Sequence, residues 1–374
     1  MYITIHDNQF RDLKNFKGEP AFPDIFTSRD LTADFELISG PNEFGWARVP
    51  GELYHVNAPL NSDIWNEDFR RRFAQWRCAV FAPDGFEQNP RPLPVVFSFA
   101  GIGGDYSDNA VYVRHVVKEL GCIMVTFDLH LTGYRVLTDD KSFCDANTRI
   151  MKNIAIMKSA GRPIDNACLK QFVTEQAFNI TQICAMLKER YKIPGEEPLP
   201  VIAMGFSLGG FYAHQCALQL PNCVGAVCAA ASSDICRYDL YKMFTLARMA
   251  PWLIPGLDLL TLRLLHEHAP YFYAIARVTQ TPYSGKAACG RDIPIRFVIG
   301  SEDKMVSVQR EREACMREQI PNRTVIEVKG MAHKPDTGEF VPGFNDVRKL
   351  NPLGERIVQE LSGIVRDWRS AHGA

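Results

Sequence analysis

From about residue 94 onward, short runs of consecutive apolar residues alternate with segments whose apolar positions recur every three or four residues. The runs are "PVVFSFAG", "CIMVTFDL", "LPVIAMGF", "VGAVCAAAS", "IPIRFVIG" and "TVIEVKG". Their length and β-rich composition predict strands buried on both faces. Between them, "NAVYVRHVVKELG" spaces Val113, Val116, Val117 and Leu120 at helical intervals, and "FNITQICAMLKERYKI" sets Ile180, Ile183, Leu187 and Tyr191 on one side. Residues 141 to 177 and "FYAHQCALQL" also read as helical, and "NPLGERIVQELSGIVRDWRS" ends the pattern as a helix with Ile357, Leu361, Ile364 and Trp368 on one face. Strands alternating with helices imply parallel pairing in an α/β sheet.

Two segments break the alternation. Residues 234 to 290 are apolar and helix-like and separate two predicted strands, which suggests a helical cap inserted into a core made of residues 71 to 233 and 291 to 374. Residues 1 to 70 form an amino-terminal extension of unassigned role, in which "YITIH" alternates like a strand and "FELISG" and "GELYHV" could be strands. "WRCAVFAP" is expected to lead into the sheet.

Composition narrows the classes that remain. The chain has 374 residues, 46% of them hydrophobic and 23% charged, with a net charge of -1, which describes an ordinary soluble protein able to bury a sizeable core. That balance gives no reason to expect nucleic acid as a partner. The opening "MYITIHDNQFRDLKNF" has no basic segment followed by an apolar run, so a cytoplasmic location is expected. The 11 cysteines show neither a CxxC pair nor finger-like Cys/His spacing, and read as small buried hydrophobes in a reducing compartment. The most apolar stretch, "MAPWLIPGLDLLTLRLL", is interrupted by Pro251, Pro255, Asp258 and Arg263 and falls short of the roughly 20 residues a spanning helix needs.

The chemistry centres on "VIAMGFSLGGFYAHQ". Ser207 lies between Gly205 and Gly209, with Gly210 next, where a predicted strand turns into a predicted helix. An ordinary tight turn would also favour glycine and serine. The apolar strand before it and the helix after it favour a nucleophile elbow, whose strained turn lifts the hydroxyl out of the sheet and leaves the Leu208 amide at a helix amino terminus, able to hold an oxyanion. A serine hydroxyl needs a base to take its proton and a third group to orient that base. Of nine histidines, His333 in "VKGMAHKPD" stands just after the last predicted strand. His214 on the elbow helix, His115 in an earlier helix, and His266 and His268 in the cap fit less well. For the acid, Asp303 in "FVIGSEDKMV" follows a strand and precedes His333, with Asp234 and Glu302 as alternatives.

Ser207, Asp303 and His333, in that order and each after a predicted strand, resemble the α/β-hydrolase superfamily over roughly residues 75 to 370. The resemblance implies an α/β-hydrolase fold, a mostly parallel central sheet flanked by helices, with a cap. It also implies that the loop after an early strand, here "FAGIGGDYSD", supplies the second oxyanion amide, from Ile102 or, with the turn shifted by one, Gly103. Gly101, Gly103 and Gly104 keep that loop flexible, while Ala100 stands where many members carry histidine. "FDLHLTGYR" sits where many members have an Asp-Arg-Gly-His-Gly run, of which only Asp128 and Gly133 are kept.

The expected activity is cleavage of a carboxylic ester or thioester of a hydrophobic small molecule by a Ser-His-Asp triad through an acyl-enzyme, with no metal or organic cofactor required. An acyltransferase, cyclase or peptidase would use the same residues. A non-catalytic binding protein of this fold would be expected to lack the serine or the histidine, and both are present. The cap's Met243, Phe244, Trp252 and Leu257 suggest an acyl pocket, with a membrane-surface or homo-oligomer contact as the competing role for its apolar surface.

Overall fold

The apolar runs lie side by side. A computed structural model describes residues 1–6, 30–44, 49–58, 74–101, 109–129, 166–195, 197–233, 292–318, 322–340 and 348–373. The cap assignment at 234–290 therefore lies outside the described residues, as do 141–165 of the predicted helical segment. Ten strands form one sheet among the described residues: β1 (Tyr2–His6), β2 (Asp30–Phe44), β3 (Val49–Asn57), β4 (Gln75–Phe81), β5 (Val95–Phe99), β6 (Ile123–Phe127), β7 (Val201–Phe206), β8 (Cys223–Ala229), β9 (Ile295–Gly300) and β10 (Arg323–Val328). Their spatial order is β1-β2-β3-β4-β6-β5-β7-β8-β9-β10. From β6 to β10 every neighbouring pair is parallel, and from β1 to β6 every pair is antiparallel.

Period-two alternation divides the strand side chains between two cores. Val95, Phe97 and Phe99 of β5, Ile123, Val125 and Phe127 of β6, and Val201 and Ala203 of β7 face one side. There they meet α2 (Asn166–Tyr191) and α3 (Leu208–Gln219), through Ile180, Ile183, Leu187, Phe211 and Ala217. Val96, Met124, Ile202 and Met204 face the other side. They are covered by α1 (Ala110–Arg114), which continues into a π-helical turn over His115–Glu119, and by α5 (Pro352–His372). Coverage on both faces is why these strands read as unbroken apolar runs rather than as alternating ones. A fourth helix, α4 (Val308–Glu318), follows β9, and a two-stranded ribbon of β11 (Asp336–Phe340) and β12 (Arg348–Leu350) separates β10 from α5.

The described part of residues 1–70 adds to this same sheet. Tyr54 on β3 pairs in register with Cys78 on β4, and Phe35 and Trp76 pack edge to face at 6.3 Å. Buried Glu52 on β3 accepts hydrogen bonds from the Tyr54 hydroxyl at 2.6 Å and the Tyr191 hydroxyl at 3.2 Å, and pairs with Arg190, which fastens the strands to the end of α2. A buried carboxylate is stable only when paired in this way. Cys78, Cys122, Cys184, Cys216, Cys223 and Cys228 are buried, and Cys315 is half-buried. Burial pushes the Cys122 thiol up to about 11 and that of Cys184 to about 12, so neither forms a thiolate near neutral pH. No helix among the described residues is long and apolar enough to cross a membrane.

The topology also says where to look for chemistry. From β5 the chain moves outward to β6, then returns across β5 to β7. Connections that leave in opposite directions open a crevice at the carboxyl ends of β5 and β7, where α/β sheets bind ligands.

Candidate active site

Ser207 stands at that crevice. It follows β7 with φ 54 and ψ -120, a region that non-glycine residues rarely occupy. Its amide donates to Ala229 O at 2.8 Å, and its carbonyl accepts the first bond of α3, from Phe211 N at 3.2 Å. As the residue preceding α3 it is placed to cap the helix, yet its side chain makes no capping bond. The hydroxyl lies 3.0 Å from His333 Nε2 instead.

Glycines make this turn possible. A Cβ on Gly205 would lie 2.2 Å from Gly209 O, and one on Gly209 would lie 2.1 Å from Phe99 O and 2.4 Å from Ala100 O. The helix start is thus pressed against the ends of both β5 and β7. Gly209→Ala is expected to lower stability by about 3 kcal/mol or more, because backbone on both sides cannot yield. Gly363→Ala, on α5 where an added Cβ meets nothing within 4 Å, should raise it by about 0.5–1 kcal/mol. Urea midpoints of the two variants check this difference in sign.

His333 follows β10 and presents its other ring nitrogen to the acid. Nδ1 lies 2.8 Å from Asp303 Oδ2. The Asp303 side chain is 0% exposed and its Oδ1 accepts from Met305 N at 2.8 Å and Val306 N at 3.0 Å. A carboxylate with both oxygens engaged is held in one orientation, and it sets Nδ1 as the donor and Nε2 as the acceptor facing Ser207. The Phe206 ring lies 5.1 Å from the imidazole, centroid to centroid.

The loops carrying the acid and the base are joined directly. Ser301 N donates to Val328 O and Glu302 N to Met331 O, both at 2.9 Å, while Gly330 N donates to Ser301 Oγ at 2.9 Å. Gly300 ends β9 where a Cβ would lie 2.1 Å from Met331 O. Glycine at 300 is what allows the two loops to touch.

The remaining candidates are placed elsewhere. Glu302 is exposed, beside the line of hydrogen bonds rather than in it. His214 is a buried residue of α3 itself, with Nε2 2.8 Å from Arg323 Nη2 and its ring against Phe297. His115 meets Glu119 at 2.9 Å on the other face of the sheet. Asp234, His266, His268, Ile102 and Gly103 lie outside the described residues. Leu208 N begins α3 beside Ser207, where an amide at a helix amino terminus is free to face an anion.

A strand-to-helix elbow at the switch point of this mixed sheet, with acid and histidine following the last two parallel strands, decides the architecture. The fold is that of the α/β-hydrolases. No protein-family model matches the chain, and no curated protein matches it by sequence. Among solved structures it is similar to acetyl xylan esterase 1 from Thermoanaerobacterium sp., at 13% identity over 90% of each chain with a TM-score of 0.48. It is similar also to an esterase from Pyrobaculum calidifontis, at 11% identity over 79% of this chain and 82% of that one with a TM-score of 0.45. A third is carboxyl esterase 2 from Tuber melanosporum, at 14% identity over 78% and 81% with a TM-score of 0.43. Strand order and the geometry of the turn at Ser207 carry the fold, independently of these distant likenesses.

Proposed function

We propose that this α/β-hydrolase-fold protein is a serine hydrolase that cleaves a carboxylic ester or thioester of a hydrophobic small molecule. The observation that carries the reading is the continuous hydrogen-bonded line from Asp303 through His333 to a serine held at φ 54. His333 Nε2 takes the Ser207 proton as Oγ attacks the acyl carbon. The resulting oxyanion is held by the Leu208 amide, with Ile102 as the expected second donor. His333 then returns the proton to the departing alcohol or thiol, leaving an acyl-enzyme. Water attacks next, giving its proton to Nε2, and collapse of the second tetrahedral intermediate releases the acid and restores Ser207. Asp303 keeps the imidazole in the reactive tautomer and stabilises its cation. A hydrophobic acyl group is favoured by the apolar composition of residues 234–290.

A fluorophosphonate probe tests the reading without knowledge of the substrate. Wild type is expected to be labelled at Ser207, and Ser207→Ala not at all. Folded wild type that stays unlabelled overturns the proposal. A series of acyl p-nitrophenyl esters then measures chain-length preference.

A further inference from the structure

We infer that Asn351 is a positioning residue that holds the His333 loop through its side-chain amide. The inference rests on the proposed hydrolase chemistry and adds a residue to it. Asn351 is the residue preceding α5, and its Oδ1 accepts from Leu353 N at 2.9 Å and Gly354 N at 3.1 Å, an ordinary helix cap. Its Nδ2 does something a cap does not require. It donates to Lys334 O at 2.8 Å and to Asp336 O at 3.2 Å, while the Asn351 backbone amide donates to Pro335 O at 3.2 Å. Three consecutive carbonyls just after His333 are thus gathered on one residue. Gly354 leaves room for this approach, since a Cβ there would lie 2.4 Å from Pro335 O.

The loop is held on its other side by Ser301 and Glu302, which bind Gly330 and Met331. His333 is suspended between two anchors, one on the acid loop and one on the final helix. Two backbone donors on one side and two carbonyls on the other fix which way the amide points. Aspartate caps a helix as well as asparagine does, but would set a carboxylate oxygen against two carbonyl oxygens. Serine caps too, and has no second arm to reach the loop.

Asn351→Asp and Asn351→Ser therefore separate the two roles. Both are expected to stay folded, with melting temperatures within a few degrees of wild type. Their second-order rate constants for fluorophosphonate labelling, and kcat on an ester that wild type cleaves, should fall about 10- to 100-fold, the size of effect produced by a misplacement of about 1 Å, with KM little changed. A residue that only capped α5 would tolerate both substitutions, and labelling of either variant at the wild-type rate overturns the inference. A second readout needs no activity. The low-field Nδ1 proton of His333, followed by NMR of protein carrying 15N-histidine, should exchange with water faster in both variants. Unchanged exchange counts against Asn351 even if wild type proves unreactive, whereas unreactive wild type with faster exchange in the variants overturns only the hydrolase reading.

Discussion

Ser207→Ala is expected to lower kcat on any ester that wild type turns over by about 10⁵- to 10⁶-fold, while leaving the protein folded. The activity falls because alanine removes the oxygen that stands 3.0 Å from His333 Nε2 on the strand-to-helix elbow. Stability should hold because the hydroxyl does not cap α3, and because alanine inherits the same backbone bonds to Ala229 O and from Phe211 N. Removing His333 should have a similar effect, and the double variant should be hardly worse than either single one, since nucleophile and base act as a unit. Circular dichroism and burst-phase kinetics on the same preparations check both halves. Retention of more than a hundredth of wild-type kcat by folded Ser207→Ala would remove Ser207 from the mechanism.

The second large effect concerns Asp303→Asn, where a change of one atom should reduce kcat about 10⁴-fold. Oδ1 of Asp303 accepts from two backbone amides, Met305 N and Val306 N. An asparagine must therefore keep its carbonyl oxygen in that position and turn its NH2 toward His333 Nδ1. A donor facing Nδ1 makes that nitrogen the acceptor and moves the ring proton to Nε2, where it faces the Ser207 hydroxyl and blocks proton transfer. Asp303→Asn is thus expected to fold, bind substrate with nearly unchanged KM, and react very slowly. Glu302→Gln, on an exposed neighbouring side chain, should leave kcat within about two-fold. Steady-state kinetics of the pair decides which carboxylate orients the base.

Much of the central sheet was legible because its signals are local. A run such as Val95–Phe99, buried at every position, has the composition of a covered parallel strand wherever it occurs. The elements that escaped detection depend on distant partners. Helix α4 carries Glu311 on its buried face, where a periodicity search expects an apolar residue. That carboxylate accepts from Ser232 Oγ at 2.6 Å and Ser233 N at 3.2 Å, so the partners that permit its burial lie 79 and 78 residues away. The ribbon of β11 and β12 is short and polar, and stands out only once its strands pair. Asn351 could be read as a helix cap, followed as it is by Pro352, but nothing near it in sequence announces the carbonyls of Lys334 and Asp336.

The amino-acid sequence by itself determined the α/β alternation, the strand-to-helix turn at Ser207 and the placing of Ser207, Asp303 and His333 after successive strands, because strand burial, helical periodicity and turn chemistry are written within a few consecutive residues. Tertiary structure alone decided that Asp303 rather than adjacent Glu302 turns inward, since the two differ only in where a loop directs them after Gly300. It also decided that residues before position 58 extend the central sheet, and that the histidine loop is anchored on both sides. Those outcomes depend on contacts between segments tens to hundreds of residues apart, and such contacts exist only once the sheet has brought its strand ends together.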